Sequence, residues 1–154
     1  LEVINLVEVE GFKFPRNLYY TKDHVWMKVQ TNEIRIGFTS LGQSLCKEIV
    51  HVDLPLEGEV FKQDDELASF ETIKAVIKIR VPLSGKIKEV NPALLEQPDL
   101  INADPYGKGW LLVVQPSRLK EELKSLMTVK EASKYYRIII KEERAKFGQL
   151  YAEE

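Results

Sequence analysis

The feature that most constrains this chain lies between residues 19 and 114, where short segments alternate apolar and polar residues with a period of two. Strand side chains point in turn to opposite faces, so alternation produces one wet face and one apolar face that needs a covering layer. Segments of this kind cover 24–29, 33–37, 49–54, 66–73, 76–81, 85–90 and 110–114. Turn formers separate most of them: Thr31-Asn32, Pro55 with Gly58, Ser84-Gly85, and Asp104-Pro105-Tyr106-Gly107. Many short strands at close spacing predict a mainly β sandwich or barrel. Short helices are expected at 40–47 and at 92–96, the latter with Pro92 in its first position.

After Pro116 the period changes to 3.6. Leu119, Leu123, Leu126 and Met127 share one face of a first expected helix. Thr128 and Glu131 have capping-box spacing ahead of a second, along which Ala132, Tyr135, Tyr136, Ile139 and Ile140 form a stripe. Gly148 is the expected stop. The stripes predict helices that pack against the strands, and no linker or repeat separates the two halves.

A chain of 154 residues can bury about two-thirds of its unfolded surface, enough for one core. Its 22 Lys+Arg against 24 Asp+Glu leave a formal charge of -2, without the basic excess of a general nucleic-acid binder. Cys46 is the only cysteine, which excludes an internal disulfide and fits a reducing compartment. The first ten residues hold three acids and lack the basic flank of a signal peptide, and no apolar run reaches the ~18 residues of a spanning helix. We therefore expect a cytoplasmic protein, or one of an organelle matrix if a leader was removed, with no nucleic-acid or membrane partner.

Catalytic motifs are missing. His24, His51 and Cys46 have neither triad nor zinc-ligand spacing, and there is no Gly-x-Ser-x-Gly and no glycine-rich phosphate loop. Asp64-Asp65-Glu66 reads as a solvated acidic run. The unusual segment is Ser69 through Gly85, a long β run with Lys74 in its middle and neither Gly nor Asn to mark a hairpin tip. By pattern alone Lys74 is an ordinary outward-facing strand residue.

The motifs within and around that run resemble the glycine cleavage system H protein family. Glu71-Thr72-Ile73-Lys74-Ala75 is similar to the family's lipoyl-lysine hairpin and is followed at the family's spacing by Pro82-Leu83-Ser84-Gly85 and Glu89-Val90-Asn91. Tyr20-Thr21-Lys22-Asp23-His24-Val25-Trp26 resembles its first strand, Gly37-Phe38-Thr39 the approach to its short helix, and Leu100-Ile101-Asn102-Ala103-Asp104-Pro105-Tyr106-Gly107-Lys108-Gly109-Trp110 its most specific signature. Biotinyl carriers of similar fold prefer Met on both sides of their lysine, so Ile73-Lys74-Ala75 favours lipoate.

The resemblance implies a flattened β-sandwich, a barrel-sandwich hybrid with short helices and a C-terminal helical segment. Residues 1–17 would be an extension, 18–116 the lipoyl-carrier β domain, and 117–154 helices packed on it. It further implies a monomeric, non-catalytic carrier with lipoate on Lys74. Such a carrier shuttles an aminomethyl group between glycine decarboxylase and aminomethyltransferase, is reoxidised by dihydrolipoyl dehydrogenase, and is loaded by a lipoylating ligase or transferase. Glu71 and Ala75 would flank the attachment point, with His24, Val25 and Lys78 near the sheltered passenger. Two positions depart from the family: Val25 stands where it has Glu, and Lys78 where it has Asp. A cationic amine prefers carboxylates. Two further readings stand beside the first: an H-like carrier of sulfur intermediates for a heterodisulfide-reductase-like complex, and a lipoyl depot. Lys78 and the long segment Gly11 to Tyr20 favour the sulfur reading.

Overall fold

The computed structural model describes residues 5–152, with side chains through 146. Two hairpin strands, β1 (Leu6–Val9) and β2 (Phe12–Pro15), come first. Glu10 and Gly11 both have positive φ, 51° and 93°, so this is the primed kind of turn that suits strand twist. The body of the fold follows as β3 (Tyr19–Tyr20), β4 (Val25–Val29), β5 (Ile34–Phe38), α1 (Ser40–Cys46), β6 (Ile49–Asp53), β7 (Val60–Phe61), β8 (Glu66–Thr72), β9 (Val76–Arg80), β10 (Gly85–Val90), α2 (Ala93–Glu96), α3 (Leu100–Ala103) and β11 (Leu112–Pro116). A one-turn α4 (Leu119–Glu122), a 3-10 turn at Leu123–Ser125 and the long α5 (Val129–Ala152) complete it.

Every strand pair is antiparallel. Six strands form one sheet in the order β3-β4-β5-β11-β10-β7, and three form a second in the order β6-β8-β9. The inner core lies between them, with Val25, Met27, Ile34, Ile36 and Phe38 from the larger sheet and Val52, Phe70 and Ile79 from the smaller. Each such side chain removed from water contributes about 2 kcal/mol. A second cluster of Val9, Phe14, Tyr20, Trp26, Leu41, Ala132, Tyr136 and Ile140 covers the other face of the larger sheet. The mainly β sandwich expected from the sequence is therefore present, thickened by an outer layer.

Alternation explains how β4 serves both cores: Val25 and Met27 face inward while Trp26 faces outward. The Trp26 indole lies across Gly37, its register partner, where any Cβ would collide with the ring. Its Nε1–H donates to the carbonyls of Phe38 (3.1 Å) and Pro105 (3.0 Å), so the Asp104-Pro105-Tyr106-Gly107 signature is a structural clamp. In the outer layer Phe14 stacks on Tyr136 with centroids 5.0 Å apart.

Three local expectations need correction. The helix read over 119–127 breaks after Ser125, because Met127 pairs with the Tyr20 backbone in both directions (2.8 and 2.9 Å) instead of continuing the spiral. Gly148 does not stop α5, which continues to Ala152. The capping box at Thr128 and Glu131 does form, with the Thr128 N–H donating to Glu131 Oε1 at 3.1 Å. The third correction is the N-terminal hairpin, which the sequence reading left without structure although Gly11 lies between two alternating runs.

Candidate functional site: the Lys74 hairpin and its platform

Strands β8 and β9 pair with Glu71 opposite Val76 and leave Thr72 through Ala75 to reverse the chain. The reversal is organised by one hydroxyl. Thr72 Oγ1 accepts from the N–H groups of Lys74 (3.3 Å) and Ala75 (3.2 Å), and the Thr72 N–H donates to the Ala75 carbonyl at 2.9 Å. Such local bonding lets Thr do what Gly or Asn does in other tips. Lys74 sits at the apex, exposed, and has no ion pair among the described residues. Ile73 beside it is 83% exposed and Val76 60%. An amine held out on a defined turn, with apolar flanks, is accessible for acylation and has room to swing.

The other end of β9 is built in the opposite way. After Arg80 the chain enters Val81, Pro82, Leu83 and Ser84, the first three buried. The Ser84 hydroxyl donates to Glu122 Oε2 (2.6 Å) and accepts from the Gln63 N–H (2.9 Å), while the Ser84 N–H donates to Glu122 Oε1 (2.8 Å). Glu122 is only 9% exposed, and these charge-assisted bonds compensate its desolvation. Gly85 is needed because a Cβ there would strike the Gln115 carbonyl oxygen of the neighbouring strand. The Pro-Leu-Ser-Gly motif thus fastens the hairpin's base to β10, β11 and α4.

Glu71 and Ala75 are exposed on either side of the tip, and Glu71 also lies opposite His51 on β6. Lys78 is exposed and reaches Glu66, at the base end of β8, with Nζ–Oε2 3.7 Å. Val25 is fully enclosed in the inner core. His24 belongs to the outer layer: its ring stacks on Tyr136 at 5.5 Å and meets Phe38 edge-on at 6.3 Å. Burial lowers the His24 pKa, with Asp23 opposing, and its Nδ1 has no hydrogen-bond partner. The structure brings Glu71, Lys74 and Ala75 together at one end and holds His24 and Val25 within the packed layers.

Cys46 is half-buried, its thiol pushed up to about 11 by burial, so it is a poor nucleophile. His51 is exposed on a strand. No group of three or more metal-ligating side chains occurs among the described residues. No helix among them is long and apolar enough to cross a membrane. Sequence reasoning missed Thr72 as the turn former and Glu122 as the buried anchor. A hydroxyl two residues before an apex is a usable signal for the first, whereas nothing local marks the second.

Residues 18–139 match the family model for the glycine cleavage H-protein. A probable glycine cleavage system H protein of Thermococcus gammatolerans is 40% identical over 131 residues, covering 84% of this chain and 97% of that one. The glycine cleavage system H protein of Bacillus licheniformis is 38% identical over 129 residues, covering 84% and 98%. The crystal structure of a glycine cleavage system H protein from Mycobacterium marinum superposes with a TM-score of 0.69 at 35% identity, covering 79% of this chain and 95% of that one.

Proposed function

Because this chain belongs to the glycine cleavage H-protein family, we propose that Lys74 is its point of lipoate attachment, through an amide on the ε-nitrogen. The protein is a lipoyl carrier of glycine cleavage and not an enzyme. The observation that carries the attachment site is the exposed Lys74 at the apex of a turn fixed by Thr72. A bound dithiolane would supply the redox and group-transfer chemistry. The chain itself supplies presentation: Thr72 sets the apex, the Ser84–Glu122 anchor keeps the base rigid, and the Ile73 and Val76 side chains offer an apolar shoulder to a docking enzyme.

The passenger is an aminomethyl group, received from glycine decarboxylase and delivered to aminomethyltransferase, with dihydrolipoyl dehydrogenase restoring the oxidised arm. A lipoylating ligase or transferase reads the tip, where Glu71 and Ala75 flank the lysine. Lys78 is compatible with a cationic passenger because it leans toward Glu66, the end of β8 away from the turn. The sulfur reading loses the support it drew from Lys78, and the depot reading has no observation of its own. His24 and Val25 act on the passenger through the layers they pack, as shape and low polarity.

The test is intact mass and peptide mapping after incubation with lipoate, ATP and a lipoyl ligase, then glycine decarboxylation with the partner enzymes. One lipoyl increment on Lys74 and active decarboxylation are the expected results. An increment only on Lys78 or Lys86, or none while a control carrier is modified, would overturn the site. Full modification without decarboxylation would overturn the passenger.

A further inference from the structure

The outer layer borders an open cleft of about 540 Å³ on the side of the larger sheet that faces away from the inner core. Its walls include Trp26 and Lys28 from β4, Arg35 from β5, and Asp104 and Tyr106 from the signature loop. Asn5, Pro15 and Asn17 flank it from the N-terminal segment, which precedes residue 18, where the family match begins.

The charges within it are unusual. Lys28 and Arg35 stand directly opposite each other in the β4–β5 register, an arrangement of like charges that destabilises a strand pair. Neither has an ion pair among the described residues. The Arg35 guanidinium lies over the Trp110 ring with its carbon 4.8 Å from the centroid, and its Nε is buried without a hydrogen-bond acceptor. Stacking of this kind fixes a guanidinium's plane and leaves its edge to bind an anion. Asp104 does not neutralise the pair: its carboxylate accepts from the Lys108 N–H at 2.8 Å and packs beside Gly107. The space is far larger than one inorganic ion needs and lies in the range of small-molecule sites.

We propose that this cavity binds a small organic carboxylate, its head between Arg35 and Lys28 and its apolar body against Trp26 and Tyr106. The amides of Asn5 and Asn17 sit at the hairpin wall as additional hydrogen-bonding groups. The site is on the opposite sheet from the Lys74 hairpin, so it is an accessory site and not part of the carrier tip.

The chain's two tryptophans, Trp26 and Trp110, line the cavity and underlie its arginine, so two indole N–H resonances report on it. Benzoate, with neutral benzamide and inorganic phosphate as controls, is titrated into the 15N-labelled intact protein. Benzoate is expected to shift the Trp110 indole and Arg35 Nε resonances saturably. The neutral amide should bind at least tenfold more weakly, and phosphate should bind more weakly than benzoate for lack of an apolar body. Arg35→Gln should abolish saturation. Asn17→Asp, an exposed position that leaves both cores untouched, should weaken binding by adding a negative charge at the wall. The proposal is overturned by no saturable shift with benzoate, by equal binding of benzamide, by phosphate binding as tightly as benzoate, or by unchanged binding in folded Asn17→Asp.

Discussion

The two ends of strand β9 are made of opposite materials. At one end Ile73 is 83% exposed and the turn rests on a single hydroxyl, that of Thr72. At the other, Leu83 is fully buried and Ser84 is held by three hydrogen bonds to Glu122 and Gln63. Five residues of strand join them. A carrier needs both: a lysine that other enzymes can reach from outside, and a base that does not yield when they do. The proposed attachment point lies at the end that contributes least to stability, which makes carrier function and stability separable by mutation.

Lys74→Arg should separate them most completely. The guanidinium keeps the charge but does not form the amide, so lipoylation should fall to background while the melting temperature stays within about one degree, since exposed changes away from packing cost little. Mass spectrometry and thermal unfolding read the two halves of that statement. At the base, Gly85→Ala should cost about 3 kcal/mol in urea unfolding, because the new methyl meets the Gln115 backbone, which has nowhere to move. Glu122→Ala should cost about 2 kcal/mol by leaving the Ser84 N–H and hydroxyl without their acceptor. Both base variants should still accept lipoate at Lys74 when folded, and a lipoylation defect as large as that of Lys74→Arg would break the separation. Thr72→Val should be nearly neutral for stability, about 0.5 kcal/mol, yet slow lipoylation, because only the turn's shape is lost.

The smallest expected effect is a pH dependence in the outer layer. Burial lowers the His24 pKa, so between its unfolded value, about 6.5, and its lower folded value the unfolded chain binds the extra proton. Stability should therefore fall as pH drops below about 6.5. His24→Asn, which tolerates the residue's positive φ of 69°, should flatten that slope in urea titrations at pH 5 to 7 without altering lipoylation. An unchanged slope would remove His24 from the account.

The same contrast governs what the sequence revealed. Strands such as β4, β5 and β11 were legible because alternation is imposed by burial, and burial acts on every residue. The hairpin of β8 and β9 was legible as strand but not as a tip, since the reversal depends on the Thr72 hydroxyl and not on a residue with special φ. The proposed role of Lys74 came only through resemblance, because nothing in the physical pattern of a strand marks one exposed lysine as an acylation target. Glu122 was illegible for another reason: its partner Ser84 lies 38 residues away, and only the folded chain makes a buried acid there acceptable. The helix read over 119–127 failed because periodicity does not register a long-range demand such as the pairing of Met127 with Tyr20.

The first and last described elements lie in one layer, with Arg144 of α5 bonded to Glu10 of the β1–β2 turn across 134 positions of sequence. That layer covers the larger sheet, whereas Lys74, the proposed attachment point, projects from the smaller one. A fusion partner or surface tether joined at either extremity would therefore load the mechanical strain onto the helix–hairpin clasp. An arm carried on Lys74 would be left unhindered, which suits this fold to immobilised or artificially linked assemblies.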